Sequence, residues 1–287
     1  MRGGQGENVI GMSASAESLQ DFFSGRLVLP RRLDVLREQY RLARPFPHVI
    51  IDGLFAPSFL VHLLAEAPQP GAEQWQTIEQ VDLERTNRMR SAMDVGKAGG
   101  EMVALMHSAA FHYLLSEITD IWQLLPDPYL QGAGHALLKR GDYFKVHADR
   151  NIAYDTGLTR RLAVIVFLNK DWRPEYNGQL ELWDHSGERC EVTIEPEFNR
   201  TVIFEVAYPN YHGVPRPLAC PADQPRRSFL LYYHTVGVGG ADKVTPHTSR
   251  FAPKFYRKHK SVLRRALEQV MPPIVMNMVK RLIRGTA

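Results

Sequence analysis

The spacing of apolar residues divides the chain into a helical first half and a strand-rich second half. Leu33–Leu42 and Pro57–Glu66 have apolar positions at helical spacing, which predicts two helices. Between them, Phe46–Phe55 is rich in β-branched and aromatic residues and predicts one strand. Met102–Trp122 is a longer amphipathic stretch and predicts a third helix, which ends at a proline-rich turn over residues 124–128.

From residue 132 onward the pattern changes to short runs of β-branched and aromatic residues, separated by Gly, Pro, Asn and Asp. Strands of this length, punctuated by turns, favour a sandwich or a barrel. The predicted strands are His135–Lys139, Tyr143–Ala148, Arg161–Leu168, Gln179–Trp183, Glu191–Ile194, Thr201–Glu205 and Ser228–Tyr233. The chain is therefore expected to be mainly β with flanking helices.

Four regions are predicted from these changes in pattern. They are a disordered leader over residues 1–18, a mostly helical region over 19–131 that packs on the core, a β-rich core over 132–240 and a basic amphipathic tail over 241–287. The leader lacks the apolar segment of a signal peptide, and no run reaches the roughly 18 apolar residues of a membrane span. We therefore expect a cytoplasmic location. The two cysteines, too few for a disulfide framework or a Cys-rich zinc site, fit a reducing compartment.

Charge is concentrated at the C-terminal end of the chain. Lys254–Ala287 contains 9 basic residues and 1 acidic residue, a net charge of +8, while the remainder has 26 basic and 30 acidic residues, a net charge of −4. Residues 254–287 are expected to contact an anionic membrane surface peripherally, or to dock on the core or on a second subunit. Nucleic acid is not an expected partner, because the body is acidic and no stacking aromatics accompany the basic residues.

A candidate metal site lies in the strand-rich half. His147 and Asp149 are two residues apart at the end of a predicted strand, so their side chains face the same way. The best third ligand is His212, 63 residues after Asp149. Two histidines and one carboxylate leave open coordination positions, the arrangement that non-haem Fe(II) oxygenases use. A His-x-Asp tripeptide is a weak signal when it stands alone.

The residues around these candidate ligands strengthen this signal. Between about Gly132 and Thr235, these motifs follow one another: Gly141–Asp149 (GDYFKVHAD), Phe167–Trp172 (FLNKDW), Gly178–Trp183 (GQLELW), Ile194–Arg200 (IEPEFNR), Val202–Phe204 (VIF), His212–Val214 (HGV), Arg226–Ser228 (RRS) and Leu231–His234 (LYYH). In the order and spacing of these motifs, the chain resembles the prolyl-4-hydroxylase branch of the 2-oxoglutarate oxygenases.

The resemblance implies a double-stranded β-helix, or jelly-roll, with Fe(II) held at its open end by His147, Asp149 and His212. It also implies a dioxygenase that hydroxylates a C–H bond and converts 2-oxoglutarate to succinate and CO2. Ascorbate is a further candidate cofactor. In this family an Arg or Lys on the last strand binds the distal carboxylate of 2-oxoglutarate. Arg226, with Ser228 on the same face, is our choice for this role, and Arg227 is its rival.

Two departures from the family bear on the substrate. Leu138 stands where many relatives have tyrosine, and Phe167 stands where hypoxia-factor prolyl hydroxylases have tyrosine. Both departures favour a small-molecule or glycan-type substrate over a peptidyl proline. Hydroxylation of a protein remains the alternative, as do a non-catalytic jelly-roll binding module and a cupin-like metal enzyme that needs no keto acid. The candidate substrate contacts are Tyr154, Asp155 and Arg160, which follow the iron motif, and Tyr211 beside His212.

Overall fold

The structure is a computed structural model that describes residues 25–89, 91–237 and 246–255. Its helices are α1 (Leu33–Leu42), α2 (Pro57–Glu66), α3 (Gly96–Met106) and α4 (Ala109–Thr119), with short 3-10 turns at Ala92–Val95 and Pro174–Tyr176. The leader predicted over residues 1–18 and residues 256–287 of the predicted tail lie outside the described residues.

The strands of the described chain join one sheet. They are β1 (His48–Asp52), β2 (Trp75–Gln80), β3 (Glu84–Met89), β4 (Leu125–Pro126), β5 (Gly134–Leu138), β6 (Tyr143–Ala148), β7 (Thr159–Phe167), β8 (Leu180–Trp183), β9 (Cys190–Ile194), β10 (Arg200–Glu205), β11 (His212–Val214), β12 (Arg226–Thr235) and β13 (Arg250–Phe251).

The sheet is antiparallel and curls into a jelly-roll-like half-barrel. Strands β1, β10, β7, β12 and β5 follow one another on one side, and β6, β11, β8 and β9 follow one another on the other. Strand β3 links the sides: Asn87 and Arg88 pair with β5, while Glu84 and Arg85 pair with β6. Residues of β6 and β12 therefore line one cavity between the two sides.

The helices pack against the outer face of the larger side and close the main hydrophobic core there. Tyr233 on β12 illustrates the contact, because its ring stacks on that of Phe111 in α4 at a centroid distance of 6.3 Å. Its hydroxyl donates a hydrogen bond of 2.8 Å to the carbonyl of Met106 in α3. This packing fixes β12, so that alternate residues of the strand point inward, away from the helices.

The predicted mainly β fold, its seven core strands and the first two helices are confirmed, with most bounds shifted by one or two residues. The single helix predicted over Met102–Trp122 is wrong, because the chain breaks between α3 and α4. Ser108 causes the break by capping α4: its hydroxyl oxygen accepts a hydrogen bond of 3.2 Å from the backbone N–H of Phe111.

The strands outside the predicted core are a further difference from the sequence prediction. The region over residues 19–131, expected to be mostly helical, also contributes the β2–β3 hairpin to the sheet. Strand β13 lies beyond residue 240 and pairs with β6 beside the candidate metal ligands. No helix among the described residues is both long and apolar enough to cross a bilayer.

Buried histidines should make the fold sensitive to acid. Burial, aided by the charge of Arg227, lowers the pKa of His135 to about 4, whereas an unfolded histidine titrates near 6.5. Between these two pH values, His135 is protonated in the unfolded chain but not in the folded chain. The free energy of unfolding should therefore fall as the pH drops from about 6.5 to 4.

Urea unfolding at pH 7.5 and pH 5 tests this prediction with the His135→Leu variant. The loss of unfolding free energy between these pH values should be smaller in the variant than in the unsubstituted protein, by on the order of 2 kcal/mol. The comparison uses each protein's own value at pH 7.5 as its reference. An equal loss in both proteins would contradict the prediction.

Candidate active site

Strand pairing brings the three predicted metal ligands together. His147 near the end of β6 lies directly opposite His212 at the start of β11. Asp149 follows β6, and its carboxylate oxygens lie 3.4 Å from Nε2 of His147 and 3.7 Å from Nε2 of His212. Donors about 2.1 Å from one divalent ion and at right angles are about 3 Å apart. The three buried side chains therefore fit a single metal ion.

Both histidines are held with Nε2 ready to bind the ion. Nδ1 of His147 lies 2.9 Å from the carbonyl of Lys145, and Nδ1 of His212 lies 3.3 Å from the carbonyl of Asn210. A carbonyl only accepts, so each Nδ1 carries the proton and each Nε2 keeps its lone pair. Burial also lowers the pKa of His212 to about 4, which keeps that ring neutral near pH 7.

Asp149 is buried yet kept ionised by its neighbours. Burial alone would raise the pKa of its carboxyl group, but the neighbouring side chains of His147, His212 and Arg160 outweigh burial and lower it. The hydroxyl of Tyr232 donates a hydrogen bond of 3.1 Å to Oδ2. The carboxylate is thus both charged and oriented, as a metal ligand must be.

A narrow cavity of about 90 Å³, here called the inner cavity, extends from the ligands into the half-barrel. Its wall on β12 consists of every second residue of the strand: Arg226, Ser228, Leu230 and Tyr232. Arg226 is only 4% exposed. Its Nε donates a hydrogen bond of 2.7 Å to the carbonyl of Gly178, and its guanidinium carbon lies 4.9 Å from the ring centroid of Phe167.

The rival arginine faces the other way. The side chain of Arg227 donates a hydrogen bond of 2.9 Å to the carbonyl of Pro68 and does not line the inner cavity. Leu138, one of the two departures from the family, lines the cavity with an apolar side chain. Thr86 and Ser228 supply hydroxyl groups to the same wall.

A wider cavity of about 650 Å³, here called the outer cavity, adjoins the inner cavity at Asp149. Arg88, Phe144, Asp149 and Tyr232 line both cavities, so they form the partition at the candidate metal site. The ring of Phe144 also stacks on that of His147 at a centroid distance of 3.7 Å. A metal ion bound there would therefore lie between the inner cavity and the outer cavity.

The four predicted substrate contacts occupy different places. Tyr154 and Arg160 line the outer cavity. Asp155 is exposed and hydrogen-bonded to Gln131, which also lines that cavity. Tyr211 lines neither cavity: it is 3% exposed and packs in a small core on the opposite face of the strand from His212. Substrate contact by Tyr211 is therefore not supported, whereas the other three roles stay predictions.

Strand β3 contributes to the site, which the sequence pattern did not predict. Arg88 lines both cavities, and its guanidinium donates hydrogen bonds of 3.3 Å to the carboxylate of Glu84 and 3.3 Å to the carbonyl of Gly132. The run Glu84–Met89 (ERTNRM) is almost wholly polar, so it lacks the apolar alternation by which strands are found. Three of its residues are nonetheless buried, and that signal is visible only in the structure.

Close contact between β6 and β11 should depend on Gly213. A Cβ at this position would lie 2.8 Å from the carbonyl oxygen of Phe144 and 2.9 Å from Cα of Val146. Gly213→Ala should therefore push β11 from β6, weaken Mn(II) binding and lower the free energy of unfolding by about 1 to 3 kcal/mol. Titration calorimetry and urea unfolding measure both effects.

The matched control is Gly100→Ala, in helix α3, where an added Cβ meets nothing within 4 Å. This variant should keep Mn(II) affinity and gain stability by up to about 1 kcal/mol from helix propensity. Unchanged Mn(II) affinity and stability in Gly213→Ala would show that the strand contact does not determine the site.

Adjacent tyrosines on β12 allow a second test of the site. Tyr232→Phe removes the hydrogen bond to Asp149 and should weaken Mn(II) binding by about tenfold or more. Tyr233→Phe removes the bond to Met106 on the opposite face, so it should cost about 1 kcal/mol of stability and leave Mn(II) binding unchanged. Equal Mn(II) affinity in Tyr232→Phe and Tyr233→Phe would contradict this prediction.

Comparison with known proteins agrees with this geometry. Residues 133–234 match the sequence model of the 2OG-Fe(II) oxygenase superfamily, although a search of curated proteins found no significant relative. The fold is similar to that of a prolyl hydroxylase from Trichoplax adhaerens, solved with a hypoxia inducible factor peptide fragment. That pair has a TM-score of 0.54 and 17% identity and covers 77% of this chain and 94% of the other.

A second similar structure is the non-haem α-ketoglutarate-dependent epimerase SnoN from nogalamycin biosynthesis. Its TM-score is 0.51 at 14% identity, with coverage of 79% of this chain and 98% of that one. At such identities the likeness concerns the fold. The family match, the fold and the three convergent ligands agree on Fe(II) and 2-oxoglutarate as cofactors. Residues 133–234 therefore match a 2OG-Fe(II) oxygenase domain, and the ligand set within them is that of a 2-oxoglutarate-dependent dioxygenase.

Proposed function

We propose that the protein hydroxylates a C–H bond of a small-molecule or glycan-type substrate and releases succinate and CO2 from 2-oxoglutarate. The inner cavity would hold the co-substrate and the outer cavity the substrate, with the metal site between them. The observation that carries this division is Arg226, a buried cation in the same small cavity as the three metal ligands.

The surroundings of Arg226 favour a carboxylate partner. Burial lowers the pKa of its guanidinium to about 10, so the group stays charged at neutral pH. Its hydrogen-bond acceptor within the described chain is the carbonyl of Gly178, and no described carboxylate pairs with it. A buried charge without a counter-ion is costly, and a dicarboxylate such as 2-oxoglutarate supplies one with the planar geometry that a guanidinium prefers.

Each residue of the site then has a defined task. Bound Fe(II) and 2-oxoglutarate supply the oxidising chemistry, in which O2 is consumed and the keto acid is decarboxylated. His147, Asp149 and His212 would hold the metal and leave positions free for the keto acid and O2. Arg226 would bind the far end of the keto acid, and the apolar wall that includes Leu230 would keep water out of the inner cavity.

The sizes of the cavities favour a small substrate. The outer cavity, at about 650 Å³, is within the usual range of small-molecule sites. The similar epimerase SnoN belongs to nogalamycin biosynthesis, which agrees with this class. The alternative is peptidyl-prolyl hydroxylation, because the similar Trichoplax protein is a prolyl hydroxylase in complex with a peptide fragment. Cytoplasmic location and membrane contact or self-association through residues 254–287 stay predictions.

The test of this proposal compares Arg226→Gln with Arg227→Gln. Calorimetry of the Mn(II)-loaded protein should show that Arg226→Gln weakens 2-oxoglutarate binding by about tenfold or more. Arg227→Gln should bind it as the unsubstituted protein does, because Arg227 contacts Pro68 outside the cavity. Strong loss in Arg227→Gln with retention in Arg226→Gln would overturn the assignment.

Substrate and product are found by incubating the Fe(II)-loaded protein with 2-oxoglutarate, ascorbate and a metabolite panel. We expect succinate release coupled to a gain of one oxygen atom in a single panel compound. Stimulated succinate release without added oxygen in the product would favour another outcome, such as epimerisation. Stimulation by proline-containing peptides alone would favour the protein substrate.

A further inference from the structure

The outer cavity carries more positive charge than its own acids balance. Its charged residues are Arg88, Arg150 and Arg160 against Glu84 and Asp149. Glu84 is already paired with Arg88 at 3.3 Å. Asp149 faces the two histidine ligands, and a metal ion there would take up its charge. The charges of Arg150 and Arg160 are therefore left without a counter-ion.

The three guanidinium groups share one arrangement. Each lies against an aromatic ring that also lines the cavity. The guanidinium-to-centroid distances are 5.3 Å for Arg88 over Phe144, 4.3 Å for Arg150 over Tyr154 and 3.6 Å for Arg160 over Tyr232. A ring that contacts the flat face of a guanidinium fixes its orientation and leaves the N–H edges available to an anion.

Arg160 shows most clearly that a partner is missing. Its side chain is 3% exposed, and Nη2 donates a hydrogen bond of 3.1 Å to the carbonyl of Gln131. Its Nε is buried without a hydrogen-bond partner. Within the described chain, neither Arg150 nor Arg160 forms an ion pair with a carboxylate. An unpaired buried donor on a cation costs free energy until a ligand satisfies it.

We propose that the outer cavity binds its substrate through an oxyanion, a carboxylate or a phosphate, held by Arg160 and Arg150. The substrate is then a small anionic molecule with further polar groups. Gln76 and Gln80 line the same cavity and offer amides to hydroxyl groups. A neutral prolyl peptide would leave the charge of Arg160 uncompensated. This inference rests on the proposed function, because it takes the outer cavity as the substrate side.

Magnetic resonance with two small probes tests the proposal directly. The protein is loaded with Mn(II) and 2-oxoglutarate, and the relaxation of inorganic phosphate (31P) and acetate (13C) is measured. An anion held near the paramagnetic ion relaxes faster, even when it binds weakly and exchanges quickly. The variants are Arg150→Gln and Arg160→Gln, with Arg161→Gln as the matched control. Arg161 neighbours Arg160 on β7, does not line the outer cavity and pairs with Glu205 at 3.9 Å.

We expect one or both probes to relax faster with the unsubstituted protein and with Arg161→Gln. Their affinity should fall by roughly tenfold in Arg150→Gln and in Arg160→Gln. An effect on phosphate alone would indicate a phosphorylated substrate, and an effect on acetate alone a carboxylated one. Should Arg160→Gln fail to fold, Arg150→Gln, at a less buried position, carries the same test.

No enhanced relaxation, or equal enhancement in all variants, would overturn the proposal. Equal enhancement would mean that the anions bind the Mn(II) ion itself. Water-proton relaxation and calorimetry on the same samples report Mn(II) and 2-oxoglutarate binding. If the protein binds neither Mn(II) nor 2-oxoglutarate, the proposed function is refuted. If it binds both, but the arginine substitutions do not change anion relaxation, only the inference about the outer cavity is refuted.

Discussion

The pairing of β6 with β11 is the constraint on which the site depends. It sets His147 opposite His212 and leaves Asp149, just beyond the strand, within 3.7 Å of both rings. Gly213 permits the close approach, since any larger side chain would meet the backbone of β6. Backbone carbonyls two residues before each histidine then fix which nitrogen faces the ion. The metal site therefore depends on the register of β6 and β11. A buried hydrophobic face specifies register strongly, because a shift of one residue would turn every apolar side chain to the other face.

Strand β12 lines both the inner and the outer cavity and also packs against the hydrophobic core. Its inward residues meet the ligands and the inner cavity, and its outward residues meet the helices. One strand thus carries both Arg226, the proposed anchor of 2-oxoglutarate, and Tyr232, which orients Asp149, while the neighbouring Tyr233 contacts the helices on the other face. The helices stabilise the half-barrel against which the site is built. Positive charge from Arg226 in the inner cavity and from Arg160 in the outer cavity would favour anions in both cavities, as the two proposals require.

Much of this arrangement could be predicted from sequence, because local patterns encode it. Short runs of β-branched and aromatic residues between turns predicted the strands, and the two-residue spacing placed His147 and Asp149 on one face. The differences between the sequence prediction and the structure have physical reasons. Strand β3 is too polar to show alternation, so Arg88 was missed. Tyr211 was chosen for its closeness to His212 along the chain, yet neighbours on a strand point to opposite faces. The break between the two helices at Ser108 was not predicted, because the amphipathic pattern continues through it. Only the structure shows the capping hydrogen bond of Ser108.

The central claim is that these three side chains hold one Fe(II) with positions open for a chelating keto acid. Anaerobic titration of the Fe(II)-loaded protein with 2-oxoglutarate, followed by visible absorption, tests it most directly. We predict a charge-transfer band that saturates at one 2-oxoglutarate per chain and is missing from the His147→Ala variant. A protein that binds both Fe(II) and 2-oxoglutarate without producing this band would contradict the claim, because the keto acid would then lie away from the metal.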